Sequence, residues 1–123
     1  MFKFNYKKPK IIAEIGCNHM GNIEIAKELI DLAKDSGVKY VKFQKRNNKE
    51  LLTEEQYLAP HPNPHNSYGD TYGAHREFLE FSLKEHKTLK EYCDNKNIIY
   101  STSVWDTTSA KEIISINPEF IKV

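Results

Sequence analysis

The 123-residue sequence predicts an α/β fold, the N-terminal half of a (β/α)8 TIM barrel with about four parallel strands and intervening helices. Three observations predict this class. Short apolar runs, typical of strands buried on both faces, alternate with segments of helical period. The turn at 16–21, after the first run, lacks the G-x-G-x-x-G spacing of a dinucleotide-binding doubly wound sheet. Charged and amide side chains lie at or near strand ends, where a barrel displays its functional groups.

Four apolar runs are the predicted strands. They cover residues 10–15, 38–44, 98–102 and 120–123. Because helices separate them, the strands should be parallel, adjacent in this order and joined by right-handed crossovers. Residues 2–5 are a candidate for a small extra strand before the sheet.

Two helices between these strands have clear boundaries. The first covers 23–36, where apolar residues recur with helical period. Asn22 is a suitable N-cap and Gly37 a suitable C-terminal stop. The second helix begins at S-L-K-E in 82–85, the pattern of a capping box. Its predicted inner face holds Leu89, Tyr92 and Cys93.

A third helix lies between the last two strands. Asp106 or Thr107 is its predicted cap, and the Asn-Pro pair at 117–118 ends it. Its predicted inner residues are Ala110, Ile113 and Ile114.

The segment 45–76 is too long for a plain connection between a strand and a helix. It holds three prolines, three histidines and two tyrosines near glycines, and we expect a long loop here. Long ordered loops at the carboxyl ends of strands usually belong to the active site, so a functional role is favoured over a variable surface loop.

Composition is that of an ordinary globular protein. Hydrophobic residues make up 39%, charged residues 28%, and the net charge is +1. We therefore expect no nucleic-acid partner and no membrane partner. No apolar region of a signal peptide follows the lysines near the start, and the two cysteines, Cys17 and Cys93, have no metal-site spacing. Free thiols in a reducing cytoplasm are the expected state.

An ordered set of short motifs resembles the sialic acid synthase family. The motifs are AEIGCNHMG at 13–21, KFQ at 42–44, YSTS at 100–103 and FIK at 120–122. The family's first motif has Asn where this chain has Met20. The resemblance extends from about residue 11 to the end of the chain.

The resemblance implies an activity. The family condenses phosphoenolpyruvate with N-acetylmannosamine or a related acetamido sugar and releases phosphate, as a step of carbohydrate biosynthesis. It uses a divalent metal, expected to be Mn²⁺, whose ligands should lie beyond residue 123, with none within this chain. It also implies a cytoplasmic homodimer for the full-length enzyme. Residues 1–123 would then be a partial catalytic barrel, without the later strands and the antifreeze-like domain, and inactive in isolation.

The resemblance also assigns residues to roles. It implies that Glu14 and Lys42 are catalytic. The residues implied to bind phosphoenolpyruvate are Lys42, Thr102 and Lys122. The residues implied to contact the sugar are Glu14, Gln44 and Asn66.

The residues themselves leave alternatives open. A lysine in an apolar strand needs an anion, which is either a ligand or the Glu14 carboxylate. Strand alternation would turn Ser101 and Ser103 away from the face that Thr102 occupies. His19 is expected to shape its loop. Two other functions remain as rivals, a non-catalytic α/β module that binds a phosphorylated ligand, and a sugar-phosphate aldolase-type barrel with a Schiff-base lysine.

Overall fold

The computed structural model describes residues 8–123 and contains one four-stranded parallel sheet. The strands are β1 (Ile12–Gly16), β2 (Tyr40–Lys45), β3 (Ile99–Val104) and β4 (Phe120–Lys122). They are hydrogen-bonded in the order β1-β2-β3-β4, as the first four strands of a (β/α)8 barrel are. The predicted strands, direction and order are confirmed. The candidate strand at 2–5 lies outside the described residues.

Two long helices cover one face of this sheet. They are α1 (Ile23–Asp35) and α5 (Leu83–Asn95). Their inner residues join the strand residues in one apolar core, whose most deeply buried members are Ala26, Ile30, Val41, Phe43, Leu89, Cys93 and Tyr100. Burying this apolar surface is the main term that holds helices and sheet together.

The predicted caps of both helices are present. The Asn22 Oδ1 accepts the Glu24 backbone N–H at 2.9 Å, which satisfies a donor that the first helical turn cannot pair. Ser82 and Glu85 form the reciprocal capping box of α5. Gly37 follows α1 with φ +80°, a left-handed conformation that glycine adopts at little cost.

Helix α6 (Thr107–Ser115) differs from its prediction on one face. Asp106 is the cap, and Ile113 is buried as expected. Ile114, however, is 60% exposed, and Ser109 occupies the buried position instead. The prediction for Ile114 was wrong because the helix turns Ser109 and Ile113, which are four residues apart, toward the sheet.

The long loop is more helical than predicted. Residues 46–80, here called the excursion, contain three α-helices and one 3₁₀ turn: α2 (Asn48–Leu51), α3 (Glu54–Leu58), Pro64–Asn66 and α4 (Tyr72–Leu79). Thr53 forms a capping box with Gln56 at the start of α3. The expectation of a long loop therefore understated its order. Among residues 8–123, no helix has both the length and the apolar character needed to cross a bilayer.

Candidate active site

Polar side chains gather toward the carboxyl ends of the strands, on the side of the sheet opposite the helical core. The parallel register pairs Glu14 with Lys42, Gln44 with Ser103, and Ser103 with Lys122. Paired residues of neighbouring strands point to the same side, as do residues two apart in one strand. We call this set the polar face; its members are Glu14, Lys42, Gln44, Ser101, Ser103 and Lys122.

Lys42 lies at the centre of the polar face. Its ammonium forms an ion pair with the Glu14 carboxylate and donates a hydrogen bond to the Ser103 Oγ at 3.1 Å. Only 13% of the lysine side chain is exposed. Burial, together with the nearby positive charge of Lys122, holds the pKa of Lys42 below its ordinary value. Pairing of Lys42 with Glu14, one of the two arrangements that the sequence allowed, is present.

The polar face has more positive than negative charge. Lys42 and Lys122 are its two cations and Glu14 is its one carboxylate, so one positive charge has no counterpart within this set. The repulsion between two neighbouring cations is relieved by an anion placed between them. The polar face can therefore bind an anionic ligand.

Thr102 lies on the wrong side of the sheet for the predicted site. It pairs with Phe43, is fully buried, and its hydroxyl donates to the Ser103 carbonyl at 3.3 Å. The expectation that Thr102 converges with Lys42 and Lys122 was therefore wrong, whereas Ser101 and Ser103 lie on the face opposite Thr102, as alternation predicted. Ser103 supplies the hydroxyl next to Lys42, and sequence reasoning missed it because the register between strands was unknown.

Glu14 and Gln44 meet around Gly16. A Cβ atom placed on Gly16 would lie 3.3 Å from both the Gln44 Nε2 and a Glu14 carboxylate oxygen. Gly16 has φ +53°, so a larger residue here would be strained as well as crowded. The two residues predicted to contact the sugar thus share one corner of the site. Their role stays a prediction.

Asn66, the third residue predicted to contact the sugar, lies in the excursion. It is the last residue of the 3₁₀ turn and is exposed. Its backbone N–H donates to the Asn63 carbonyl at 3.1 Å. It does not belong to the polar face, and its contact with a sugar stays a prediction.

A buried ion pair closes the excursion beside the site. The Arg46 Nε donates to a Glu80 oxygen at 2.5 Å, and the Arg46 backbone N–H donates to the other Glu80 oxygen at 3.1 Å. Arg46 also donates to the Cys17 sulfur at 3.3 Å. Burial raises the pKa of the Cys17 thiol, which stays protonated and donates to the Gln44 Oε1 at 3.8 Å. The pair thus connects the ends of the excursion to the Gln44 side chain.

Two buried histidines lie behind the strand ends. His19 is 2% exposed, stacks on Phe81 at a centroid distance of 4.0 Å, and its Nδ1 accepts the Gly21 N–H at 3.1 Å. His86 is fully buried, with its Nδ1 2.7 Å from the Tyr100 hydroxyl. Burial lowers the pKa of His19 to about 4 and that of His86 to about 3. Both rings are therefore neutral packing groups, and His19 shapes its loop as expected.

Metal binding by these residues has no support in the geometry. Within residues 8–123, no group of three or more histidine, cysteine, aspartate or glutamate side chains is placed to hold an ion.

Known proteins share this sequence and this fold. The chain is 38% identical over 117 residues to the N-acetylneuraminate-9-phosphate synthase of Drosophila melanogaster. The match covers 92% of this chain and 30% of that protein. It is 32% identical over 117 residues to the N,N'-diacetyllegionaminic acid synthase of Campylobacter jejuni, covering 95% of this chain and 35% of that protein. The crystal structure of the sialic acid synthetase of Leptospira borgpetersenii in complex with citrate superposes with a TM-score of 0.70 at 29% identity, over 91% of this chain and 34% of that chain.

These matches extend over nearly the whole chain but over only part of each relative. The chain spans about a third of the length of the relatives that it matches. The model of the NeuB family matches residues 29–123, which is most of the sequence. The chain therefore belongs to the NeuB family.

Proposed function

We propose that this chain is the N-terminal part of the catalytic barrel of a nonulosonate synthase. The reaction condenses phosphoenolpyruvate with N-acetylmannosamine or a related acetamido sugar. The observation that carries the proposal is the pair of lysines, Lys42 and Lys122, on one face of the sheet that holds a single carboxylate, Glu14, paired with Lys42. Membership of a family of synthases supports it.

The lysines provide the phosphoenolpyruvate site in this proposal. Lys42 and Lys122 bind its phosphate and carboxylate, because charge-assisted hydrogen bonds to such groups are roughly twice as strong as neutral ones. Ser103, whose Oγ already accepts from Lys42 at 3.1 Å, can donate its own proton to the same ligand. Thr102 has no part in this site, because its hydroxyl faces the core.

Glu14 has two roles in succession. An anion on Lys42 competes with Glu14 for the ammonium, so the carboxylate becomes free to accept a hydrogen bond from a sugar hydroxyl. Gln44, which meets Glu14 around Gly16, offers an amide for a second sugar hydroxyl. The acceptor would therefore lie toward β1 and β2 and phosphoenolpyruvate toward β2 and β4.

The chemistry of the proposed reaction needs both ligands in this orientation. C3 of phosphoenolpyruvate forms a bond to the aldehyde carbon of the open-chain sugar, water adds at C2, and phosphate leaves with cleavage of its C–O bond. Holding the two ligands side by side supplies much of the rate enhancement, since it replaces an encounter between free molecules.

A divalent metal, proposed to be Mn²⁺, would polarise the aldehyde when bound. The described residues do not form a site that fits it, so its ligands are proposed to lie in the chain beyond Val123. The cytoplasm and a homodimer are the proposed setting of the complete enzyme.

The lowered pKa of Lys42 also supports a second candidate function. A lysine whose pKa is lowered by burial is a better nucleophile than an exposed one, as Schiff-base aldolases require. Borohydride would trap such an enzyme on its carbonyl substrate through a covalent bond to Lys42, whereas a nonulosonate synthase would not be trapped.

Steady-state kinetics of the complete protein test the assignment. Phosphate release is measured with phosphoenolpyruvate and N-acetylmannosamine varied in turn, in the presence of Mn²⁺. Lys42→Ala should lower kcat/KM for phosphoenolpyruvate roughly ten- to a hundredfold, because a charge-assisted contact worth about 1.5–3 kcal/mol is lost. Glu14→Gln should act chiefly on kcat/KM for the sugar.

The matched control is Lys39→Ala. Lys39 is exposed and precedes β2, at the opposite end of the sheet from the polar face, so its loss should leave both constants unchanged. Lys42→Ala kinetics that weaken only the sugar would contradict the assignment of this lysine. Absence of phosphate release by the unaltered protein would contradict the proposed function.

A further inference from the structure

The Gln44 side chain is held from behind by a chain of hydrogen bonds that starts at a buried ion pair. Its first member is the Glu80 carboxylate, which accepts from the Arg46 guanidinium. Arg46 in turn donates to the Cys17 sulfur at 3.3 Å, and the thiol donates to the Gln44 Oε1 at 3.8 Å. Because Glu80 follows α4 and Arg46 follows β2, both ends of the excursion hold this chain of hydrogen bonds in place.

The Cys17 thiol gives these hydrogen bonds a direction. A guanidinium has no acceptor atom, so Arg46 must donate to the sulfur, and the S–H proton is left for Gln44. Burial raises the pKa of the Cys17 thiol, which therefore keeps its proton near pH 7. The atom of Gln44 that faces Cys17 is accordingly the amide oxygen, since the amide nitrogen cannot accept this proton.

The other end of the Gln44 amide faces the corner that it shares with Glu14. A Cβ atom placed on Gly16 would lie 3.3 Å from the Gln44 Nε2 and 3.3 Å from the Glu14 Oε1, so both atoms border one small space. An amide turned the other way would place its oxygen beside the carboxylate, where two negatively polarised oxygens repel each other. The corner therefore presents a donor, the Gln44 NH2 group, next to an acceptor, the Glu14 carboxylate.

We propose that Arg46 and Cys17 are positioning residues, which hold the Gln44 amide with its NH2 group toward this corner. The inference rests on the proposed function, in which the corner binds the sugar, and it specifies the contact. Gln44 meets one hydroxyl through its oxygen, and Glu14 meets a neighbouring hydroxyl through its proton. An amide free to turn over would offer its oxygen to the ligand part of the time and would lose that freedom on binding, at a cost in affinity.

Nuclear magnetic resonance of the complete protein, with isotopically labelled glutamine side chains, tests the orientation without any ligand. The Gln44 NH2 signals are identified by their loss in Gln44→Ala. They should show a nuclear Overhauser contact with the Cα protons of Gly16, because the Nε2 borders that glycine. The contact should weaken in Cys17→Ala, which removes the S–H donor, and should recover in part in Cys17→Ser. Gln56 is the reference, since its Oε1 accepts the Thr53 backbone N–H at 3.0 Å and its signals should not change.

Kinetics of the complete protein test the consequence for the sugar. KM and kcat are measured for the unaltered protein, Cys17→Ala, Gln44→Ala and the double variant, with each substrate varied in turn. We expect Cys17→Ala to raise KM for N-acetylmannosamine roughly two- to tenfold, the loss of one neutral hydrogen bond, and to leave KM for phosphoenolpyruvate unchanged. In the Gln44→Ala background the same change should have no further effect, because the amide that the thiol orients is gone. A merely structural role of Cys17 would give the same loss in both backgrounds.

Cys93→Ala is the matched control, since it removes the other thiol of residues 1–123, which is buried in the helical core, and should leave both KM values unchanged. Equal effects of Cys17→Ala in both backgrounds, or an undiminished contact between Gln44 and Gly16, would overturn the inference. A contact that depends on Cys17, without phosphate release by the unaltered protein, would support the positioning and refute the proposed function. Phosphate release combined with a Cys17→Ala effect that is independent of Gln44 would do the reverse.

Discussion

Acidification should destabilise this protein through two buried imidazoles. His19 and His86 are 2% and 0% exposed, and burial lowers their pKa values from 6.5 to about 4 and about 3. Between those values and 6.5, the unfolded chain binds protons that the folded chain does not. The free energy of unfolding must therefore fall as the pH drops through 6.5, and it stops falling on their account below the folded-state pKa values.

The size of the loss follows from the two shifts. A pH of 5 is about 1.5 units below the ordinary histidine pKa, so each histidine of the unfolded chain is protonated while each folded ring is still neutral. At about 1.4 kcal/mol per unit, each ring costs about 2 kcal/mol, or about 4 kcal/mol for the pair. That is a large share of the 5–15 kcal/mol typical of a folded domain.

Urea unfolding at pH 7 and pH 5 measures this loss. The loss is compared between the unaltered protein and the double variant His19→Asn/His86→Asn, whose asparagine side chains do not titrate. Each asparagine keeps an acceptor oxygen at about the place of the histidine Nδ1. Its stability should fall by about 4 kcal/mol less between the two pH values than that of the unaltered protein. Ile30→Ala, a non-titrating change in the apolar core away from both histidines, should lower stability equally at both pH values. An equal fall in the double variant and the unaltered protein would refute the reasoning.

Two further predictions concern the excursion and the extent of the site. Glu80→Gln should lower the free energy of unfolding by roughly 3–5 kcal/mol, because it leaves Arg46 buried without its partner. Limited proteolysis should then cut within residues 46–80, and an unchanged melting temperature and cleavage pattern would contradict this. Residues 1–123 alone should release no phosphate from phosphoenolpyruvate with Mn²⁺ and N-acetylmannosamine, since the described residues form no metal site. Measurable release would show that the metal site is misplaced.

The strands and the main helices could be predicted because their signals are local. Asn22 and the Ser82–Glu85 box are short-range hydrogen-bonding patterns, and both appear as caps in the structure. Short apolar runs separated by helices left one sensible order for four parallel strands. Each of these inferences depends on residues within one or two helical turns of each other.

The faces of the strands could not be assigned in the same way. Alternation relates Lys42 to Gln44 within β2, but it does not say which residue of β3 lies beside Lys42. That depends on the register, which pairs Lys42 with Ser101 and Phe43 with Thr102. A shift of one residue exchanges the two faces, so Thr102 was assigned to the site in place of Ser103.

Contacts across the excursion were beyond sequence reasoning for another reason. Arg46 and Glu80 are 34 residues apart and belong to no periodic pattern.

The cations at the strand ends differ in role according to whether a carboxylate neutralises them and how exposed that carboxylate is. Arg46 is 13% exposed and bound to a carboxylate that is 8% exposed, so its charge is satisfied inside the protein and holds the excursion in place. Lys42 shares a half-exposed carboxylate, Glu14, which an incoming anion can displace at moderate cost. Lys122 has no carboxylate partner among residues 8–123. Its charge lowers the pKa of Lys42, and an anion bound beside both lysines would offset that repulsion. This is the electrostatic reason for proposing the phosphoenolpyruvate site at these lysines and not at Arg46.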